Sequence, residues 1–281
     1  MERILSDHQL REFKADGILH IPGLIPEEVY GPVRDDLGRM IEESKEPPGP
    51  DSTYLYRTMK NSGKTWLYRI NELIRTHELE SVKLMLAYPP LLSAVHQVMG
   101  RNNFTSSEAA VVLKMPNSEA PVVWHQDPVP VNRWPVFDAD IYLDDSDPDN
   151  GGLWAIPGSH LAGYHAGQQK ELIESYTSGR EAGDVEGAVP VIARPGDANF
   201  HANSVVHGSF ASRSPRLRRT VYFHWDSYVD VVLNPETDRR RQRYPWGERL
   251  LRSCIELRAE RFPDEEPFPI ELIDSPFRTQ A

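Results

Sequence analysis

Apolar residues recur at helical spacing through the first hundred positions and then give way to short alternating runs. Ser6 or Asp7 opens the first helical pattern and Gly17 closes it, after which ILHIPGLI reads as a short strand broken by proline and glycine. PEEVYGPVRDDLGRMIEESK returns to helical spacing with Pro26 near its start, and EPPGPDS is a loop. NELIRTHELESVKLML and PPLLSAVHQVMG add two more helical patterns, so residues 1–103 form a mainly helical part. Beyond Asn103 the runs AAVVLKM, PVVWHQD, ADIYLDD, GGLWAIPG, VPVIARPGD, SVVHGSF and RRTVYFHW are β-prone and separated by turn residues. Such strands predict an antiparallel sandwich or barrel over 104–230, interrupted by a long polar insertion at about 162–187 and covered by the helices. DRRRQRYPWGERLLR, which mixes arginine with apolar residues, predicts a helix with a solvated face within a C-terminal part, 231–281. The expected class is thus mixed α and β in a single domain.

The composition narrows the partners. A net charge of −11 and the absence of a basic stripe argue against nucleic acid. Cys254 is the single cysteine, which excludes an intrachain disulfide and a cysteine-based zinc cluster and fits a reducing cytoplasm. The amino-terminal residues lack an apolar signal region, and no window has the length of apolar residues that a membrane span needs. The chain is expected to be a cytoplasmic monomer or homodimer that acts on a small molecule, away from membranes.

The chemistry concentrates in PVVWHQDPVP. In an extended segment residues two apart share a face, so His125 and Asp127 emerge side by side, as metal ligands or as a local hydrogen bond at a strand end. A third ligand has to come from elsewhere: His160, His165, His201, His207 and His224 are available. His207 is preferred, because SVVHGSF is a β-branched run ending at a glycine, whereas His165 and His201 lie beside turns. Two histidines and one carboxylate form the facial triad that leaves three octahedral positions open, an arrangement suited to Fe(II), a bidentate co-substrate and dioxygen. Arg218, eleven residues beyond His207 at the head of the next strand, can present its guanidinium fork to a distal carboxylate. Alternation turns either Arg218 or Arg219 inward, and Arg218 is taken as the inward one because Thr220 and Tyr222 share its face.

The order His-Gln-Asp, then DNGGLWAIPGSH, PGD, HGS and an arginine about a dozen residues on, resembles the phytanoyl-CoA dioxygenase family of Fe(II)/2-oxoglutarate oxygenases. The entry FKADGILHIPGLIP is similar as well, and the likeness spans roughly residues 8 to 226. The resemblance implies a double-stranded β-helix of the jelly-roll, cupin-like kind. It also implies iron on His125, Asp127 and His207, the C5 carboxylate of 2-oxoglutarate on Arg218, and Ser209 and Lys114 as further residues of the co-substrate pocket. The implied reaction consumes O2, releases succinate and CO2, and by default hydroxylates a substrate. Desaturation, epoxidation, endoperoxidation or ring rearrangement would use the same ligands, and a non-catalytic barrel that merely binds is the rival from another class. Asp140 departs from the family, standing where many members carry a tryptophan beside the co-substrate. Without an extended basic patch for coenzyme A, a small organic molecule such as a secondary metabolite is expected as substrate. Asn150, Trp124, Trp134 and His160 read as turn and core residues, and Asp144 and Asp145 as a solvated turn.

Overall fold

The protein was analysed as a computed structural model, which describes residues 2–44, 49, 52–127, 136–163, 173–174, 182–227 and 238–273. Helix α1 (Asp7–Asp16) begins at a capping box: Gln9 N–H donates to the Ser6 hydroxyl while the Gln9 side chain accepts from Ser6 N–H. It ends at Gly17, whose left-handed φ of 74° lets its N–H reach Phe13 O. Strand β1 (Ile18–Ile21) follows, then α2 (Glu27–Glu43) directly after Pro26.

Two segments differ from their sequence pattern. The stretch after the EPPGPDS loop supplies, from Tyr54 on, one arm of a hairpin, β2 (Tyr54–Thr58) paired with β3 (Thr65–Ile70), where no strand was expected. The helix expected from Asn71 starts only at Glu80, giving α3 (Glu80–Leu86). Glu72 and Glu78 sit at φ of 58° and 52°, which a helix cannot continue through, and Leu73 N–H bonds across to Ala109 O. Helix α4 (Pro89–Met99) opens on proline and closes at Gly100 as the pattern predicts.

The strands that follow are β4 (Phe104–Lys114), β5 (Val122–His125), β6 (Phe137–Tyr142), β7 (Leu153–Ile156), β8 (Val189–Pro190), β9 (Ala198–Ala202), β10 (Val206–Ser209) and β11 (Arg218–Ser227). They build two antiparallel sheets, ordered β1-β9-β6-β11-β4-β3-β2 and β5-β10-β7-β8. This is a double-stranded β-helix flanked by helices. Strand β9 was not anticipated: ANFHA is short and carries asparagine and histidine between turn residues, yet it pairs with β1 on one side and β6 on the other.

Alternation divides the large sheet into two chemistries. Val221, Phe223 and Trp225 of β11, with Phe137, Ala139 and Ile141 of β6 and Phe200 of β9, are buried in one apolar core with residues of the four N-terminal helices. Each large side chain so buried contributes roughly 1.5–3 kcal/mol, so this face anchors the barrel wall. The opposite face carries Arg218, Thr220, Tyr222, His224 and Asp226 of β11, and Asp138, Asp140 and Tyr142 of β6, all lining a cavity. Helix α5 (Asp238–Arg261) buries Leu251, Cys254 and Ile255, and Gly247 lets its backbone approach β4; a Cβ there would stand 2.8 Å from Ser106 O.

Candidate active site

The cavity between the sheets measures about 540 Å³. On the small sheet, β5 delivers His125 and β10 delivers His207 at directly paired positions, their ring centroids 4.2 Å apart. Asp127 lies just past β5, its N–H held by Asn203 O. Its carboxylate is 3.5 Å from His125 Nε2 and 3.6 Å from His207 Nε2. Both imidazoles are fixed through the other nitrogen: His125 Nδ1 donates to Val123 O at 2.8 Å and His207 Nδ1 to Val205 O at 2.9 Å. Fixing Nδ1–H on a carbonyl leaves the Nε2 lone pair directed at the carboxylate, the tautomer that metal-ligating histidines use. Burial, followed by the charge of His125, pushes His207 down to about 3, so its imidazole is neutral. Ligand atoms of His125, Asp127 and His207 all lie within 4.8 Å of one another, a set that could hold a metal ion.

The other end of the cavity is cationic. Arg218 is buried against the sheet, donating to Thr220 Oγ1 at 2.7 Å and to Ser209 Oγ at 3.3 Å, while its Nε has no partner. Lys114, opposite Arg218 in the β4–β11 ladder, donates to Ala120 O at 2.7 Å and Ser209 O at 2.9 Å. Burial, and then the charges of Arg218 and Arg57, push Lys114 down to about 6. The Tyr142 hydroxyl, also buried and without a partner, completes this end. The Ser209 hydroxyl donates to Gly151 O at 2.8 Å. Arg219 faces outward and forms a two-pronged ion pair with Asp144, which is therefore a fixed partner of the strand end and not a solvated turn residue.

A third group gathers around His201 and His224, which the sequence offered as ligands and set behind His207. His201 projects from β9 with Nδ1 donating to Asp140 at 2.8 Å, and its Nε2 stands 3.8 Å from Asp127 and 4.0 Å from Asp138. Burial opposes its charge, but Asp140, Asp127 and Asp138 raise it well above the ordinary imidazole range. His224 donates Nδ1–H to Asp138 at 2.6 Å and has Asp226 3.4 Å from Nε2. Burial again opposes the charge, and the two carboxylates outweigh it, holding His224 at about 10. Asp140, the residue that stands where many members of the resembled family carry a tryptophan, thus orients His201. Asp127, Asp138 and His201 also satisfy the distance requirement for a metal site among the described residues.

The remaining candidates fall outside the cavity. His160 Nε2 donates to Lys14 O at 3.2 Å and the ring packs on Gly17. Trp124 packs edge-on against Phe210, and Asn150 caps its own turn with Asp147. Gln126 is buried away from the carboxylate, donating to Gly163 O and Ser204 O. His165, Trp134 and most of the 162–187 insertion lie outside the described residues.

Comparison with known proteins identifies the family. The sequence profile described as Phytanoyl-CoA dioxygenase (PhyH) matches residues 13–220, most of the chain. The chain belongs to the phytanoyl-CoA dioxygenase family. As a member it is a non-haem iron, 2-oxoglutarate-dependent dioxygenase. Among relatives in that family, phytanoyl-CoA dioxygenase 1 of Oryza sativa subsp. japonica is 24% identical over 78% of this chain and 88% of its own length. Similar solved folds include AviO1 from Streptomyces viridochromogenes, with a TM-score of 0.65 and 23% identity over 81% of this chain and 97% of that one. HygX from Streptomyces hygroscopicus, whose structure holds nickel and 2-oxoglutarate, has a TM-score of 0.61 and 17% identity over 80% of this chain and 88% of its own. Among the described residues of this family member, no helix is long and apolar enough to cross a membrane.

Proposed function

We propose that His125, Asp127 and His207 hold iron(II), that Arg218 binds the distal carboxylate of 2-oxoglutarate, and that the enzyme hydroxylates a small organic molecule with release of succinate and CO2. One observation carries this reading: two imidazoles with their Nδ1 atoms anchored on their own strands meet one carboxylate in a cavity whose far end is a buried guanidinium. Donor chemistry fits the metal, since neutral nitrogens and a hard oxygen suit Fe(II), and three ligands leave positions open. When bound, iron with 2-oxoglutarate supplies the oxidising power that side chains lack.

The side chains supply position and charge. Val123 O and Val205 O fix both rings before a metal arrives, so little conformational freedom is lost on binding. Thr220 and Ser209 hold the Arg218 fork, whose unpartnered Nε, with the Tyr142 hydroxyl, awaits an anionic oxygen. Ser209 lies beside this carboxylate site in the same reading, with Lys114 behind it, its amine on Ala120 O and Ser209 O. HygX, with 2-oxoglutarate bound in a similar fold, supports the co-substrate assignment. The chain works as one catalytic unit in the reducing cytoplasm that its lone, buried cysteine suits.

The test is anaerobic titration with Fe(II) and 2-oxoglutarate, read by the visible metal-to-ligand charge-transfer band and, in air, by succinate. Arg218→Ala should raise the 2-oxoglutarate KM by about 100-fold or more, the cost of losing a buried charge-assisted fork. Unchanged succinate formation in that variant, or no band with the unaltered protein, counts against the reading and favours a non-catalytic barrel.

A further inference from the structure

The wall opposite the proposed iron ligands carries more polar chemistry than those ligands and the co-substrate use. Along the large sheet, His201, Asp138 and His224 occupy one continuous register across β9, β6 and β11, and Asp226 pairs with Thr105 in the next row. Asn203 extends the row beyond β9, with Nδ2 3.3 Å from His224 Nδ1. All of these side chains line the cavity. Three of them present buried atoms without a hydrogen-bond partner: His201 Nε2, Thr105 Oγ1 and Asn203 Oδ1. Asp138 gives one oxygen to His224, while the other stands 4.0 Å from His201. Buried polar atoms left unmatched are costly to the fold, so a run of them in one wall marks where a ligand completes the bonding.

Aliphatic groups are placed elsewhere. Among the described lining residues they are Val112, Val122 and Leu153. Val112 pairs with Thr220, and Val122 and Leu153 both pair with Ser209, so all three belong to the Arg218 end. The wall facing the triad leaves acceptor oxygens open: Asn203 Oδ1, Thr105 Oγ1 and the Asp138 oxygen that His224 does not take. It therefore asks its ligand for donors.

We infer that this wall is the primary-substrate subsite, and that it takes a compact molecule rich in hydrogen-bond donors, hydroxyl or protonated amino groups, in place of an apolar acyl chain. The inference rests on the iron and 2-oxoglutarate reading above and names the substrate class for it. Asn203, Thr105 and the free oxygen of Asp138 select the substrate by accepting or matching its donors, and a fatty chain on this wall would leave these atoms unmatched. The cavity volume, about 540 Å³ shared with the co-substrate, sets the same limit on size.

The test uses the full chain with Fe(II) and 2-oxoglutarate, first anaerobically for the charge-transfer band and then in air for succinate. Probes are sorbitol and myo-inositol for hydroxyls, glucosamine for both groups, spermidine for amines, and decanoyl-CoA for the acyl class. The expected result is a shifted band and a severalfold rise in succinate with a donor-rich probe and neither with decanoyl-CoA; which probe acts tells hydroxyls from amines. Thr105→Val, nearly isosteric, and Asn203→Leu should each raise the half-saturating probe concentration about tenfold. If Asn203→Leu does not fold, Thr105→Val carries the comparison. A band that no donor-rich probe shifts, a response to decanoyl-CoA as large as to the others, or unaltered half-saturation in the variants overturns the inference alone. Failure to form the band overturns the iron reading and this inference with it.

Discussion

At the scale of single residues, Lys114 is a charge the fold has placed under unusual strain. Its amine is buried between two carbonyls, and burial, Arg218 and Arg57 together push it from the usual lysine range to about 6. Between about 6 and 10.5 the unfolded chain binds a proton at this position and the folded one does not, so Lys114 makes stability rise with pH in that window, at up to about 1.4 kcal/mol per unit. His224 runs the other way. Held at about 10 by Asp226 and Asp138 against the cost of burial, it stabilises the fold below the ordinary imidazole range, and that contribution fades as pH rises toward 10. The two slopes oppose each other, so the informative quantity is a difference. Urea unfolding of the unliganded protein at pH 6, 7 and 8 should show a stability trend for Lys114→Met that falls with pH relative to wild type. Parallel trends in the two proteins would mean that Lys114 keeps its proton when buried.

Among the elements, the turns decide how closely the proposed co-substrate pocket is packed. Gly151 and Gly100 both adopt left-handed φ, 74° and 61°, yet their surroundings differ. A Cβ on Gly151 would stand 2.7 Å from Phe210 O and 3.1 Å from the Lys114 chain, while one on Gly100 meets nothing within 4 Å. Gly100→Ala should therefore cost only the conformational penalty, about 1 kcal/mol. Gly151→Ala should cost about 3 kcal/mol or more in urea melts and also raise the 2-oxoglutarate KM, because Ser209 donates to the carbonyl of this residue. Equal losses in both would show that the turn yields without disturbing the pocket. Local signals of this kind made much of the fold legible: the Ser6 cap, the closing glycines, and the alternation that turns Arg218 inward. His125, Asp127 and His207 could be singled out because spacing two apart and a strand end place side chains on a face. His201 could not, since ANFHA lacks a β-branched run and becomes a strand only through its neighbours β1 and β6. The hairpin β2–β3 was hidden for a similar reason, its Arg57, Tyr68 and Arg69 being cavity residues, with Arg57 over Tyr68 and Arg69 over Tyr222.

For the whole molecule, the proposed ligands join parts that the backbone leaves in separate sheets. His125 and His207 belong to the four-stranded sheet with Asp127 just past β5, whereas Arg218 belongs to the seven-stranded one. Iron and 2-oxoglutarate together would span the space between them, and neither finds this arrangement in an unfolded chain. Any ligand that binds only the folded state stabilises it by RT ln(1 + [L]/Kd), about 2.7 kcal/mol at a hundredfold excess over Kd. For a chain of 281 residues that corresponds to a rise in Tm of roughly 5–10 °C. The rise should be larger for metal and 2-oxoglutarate together than for the sum of each alone, since the metal supplies the second anchor of the dicarboxylate. Mn(II) can replace iron in this measurement to avoid turnover. His207→Ala should abolish the metal-dependent part, and Arg218→Ala should remove the excess on adding both while leaving the shift with metal alone. If Mn(II) and 2-oxoglutarate raise Tm by strictly independent amounts, the two bind apart, and the bridge between the sheets is not formed by them.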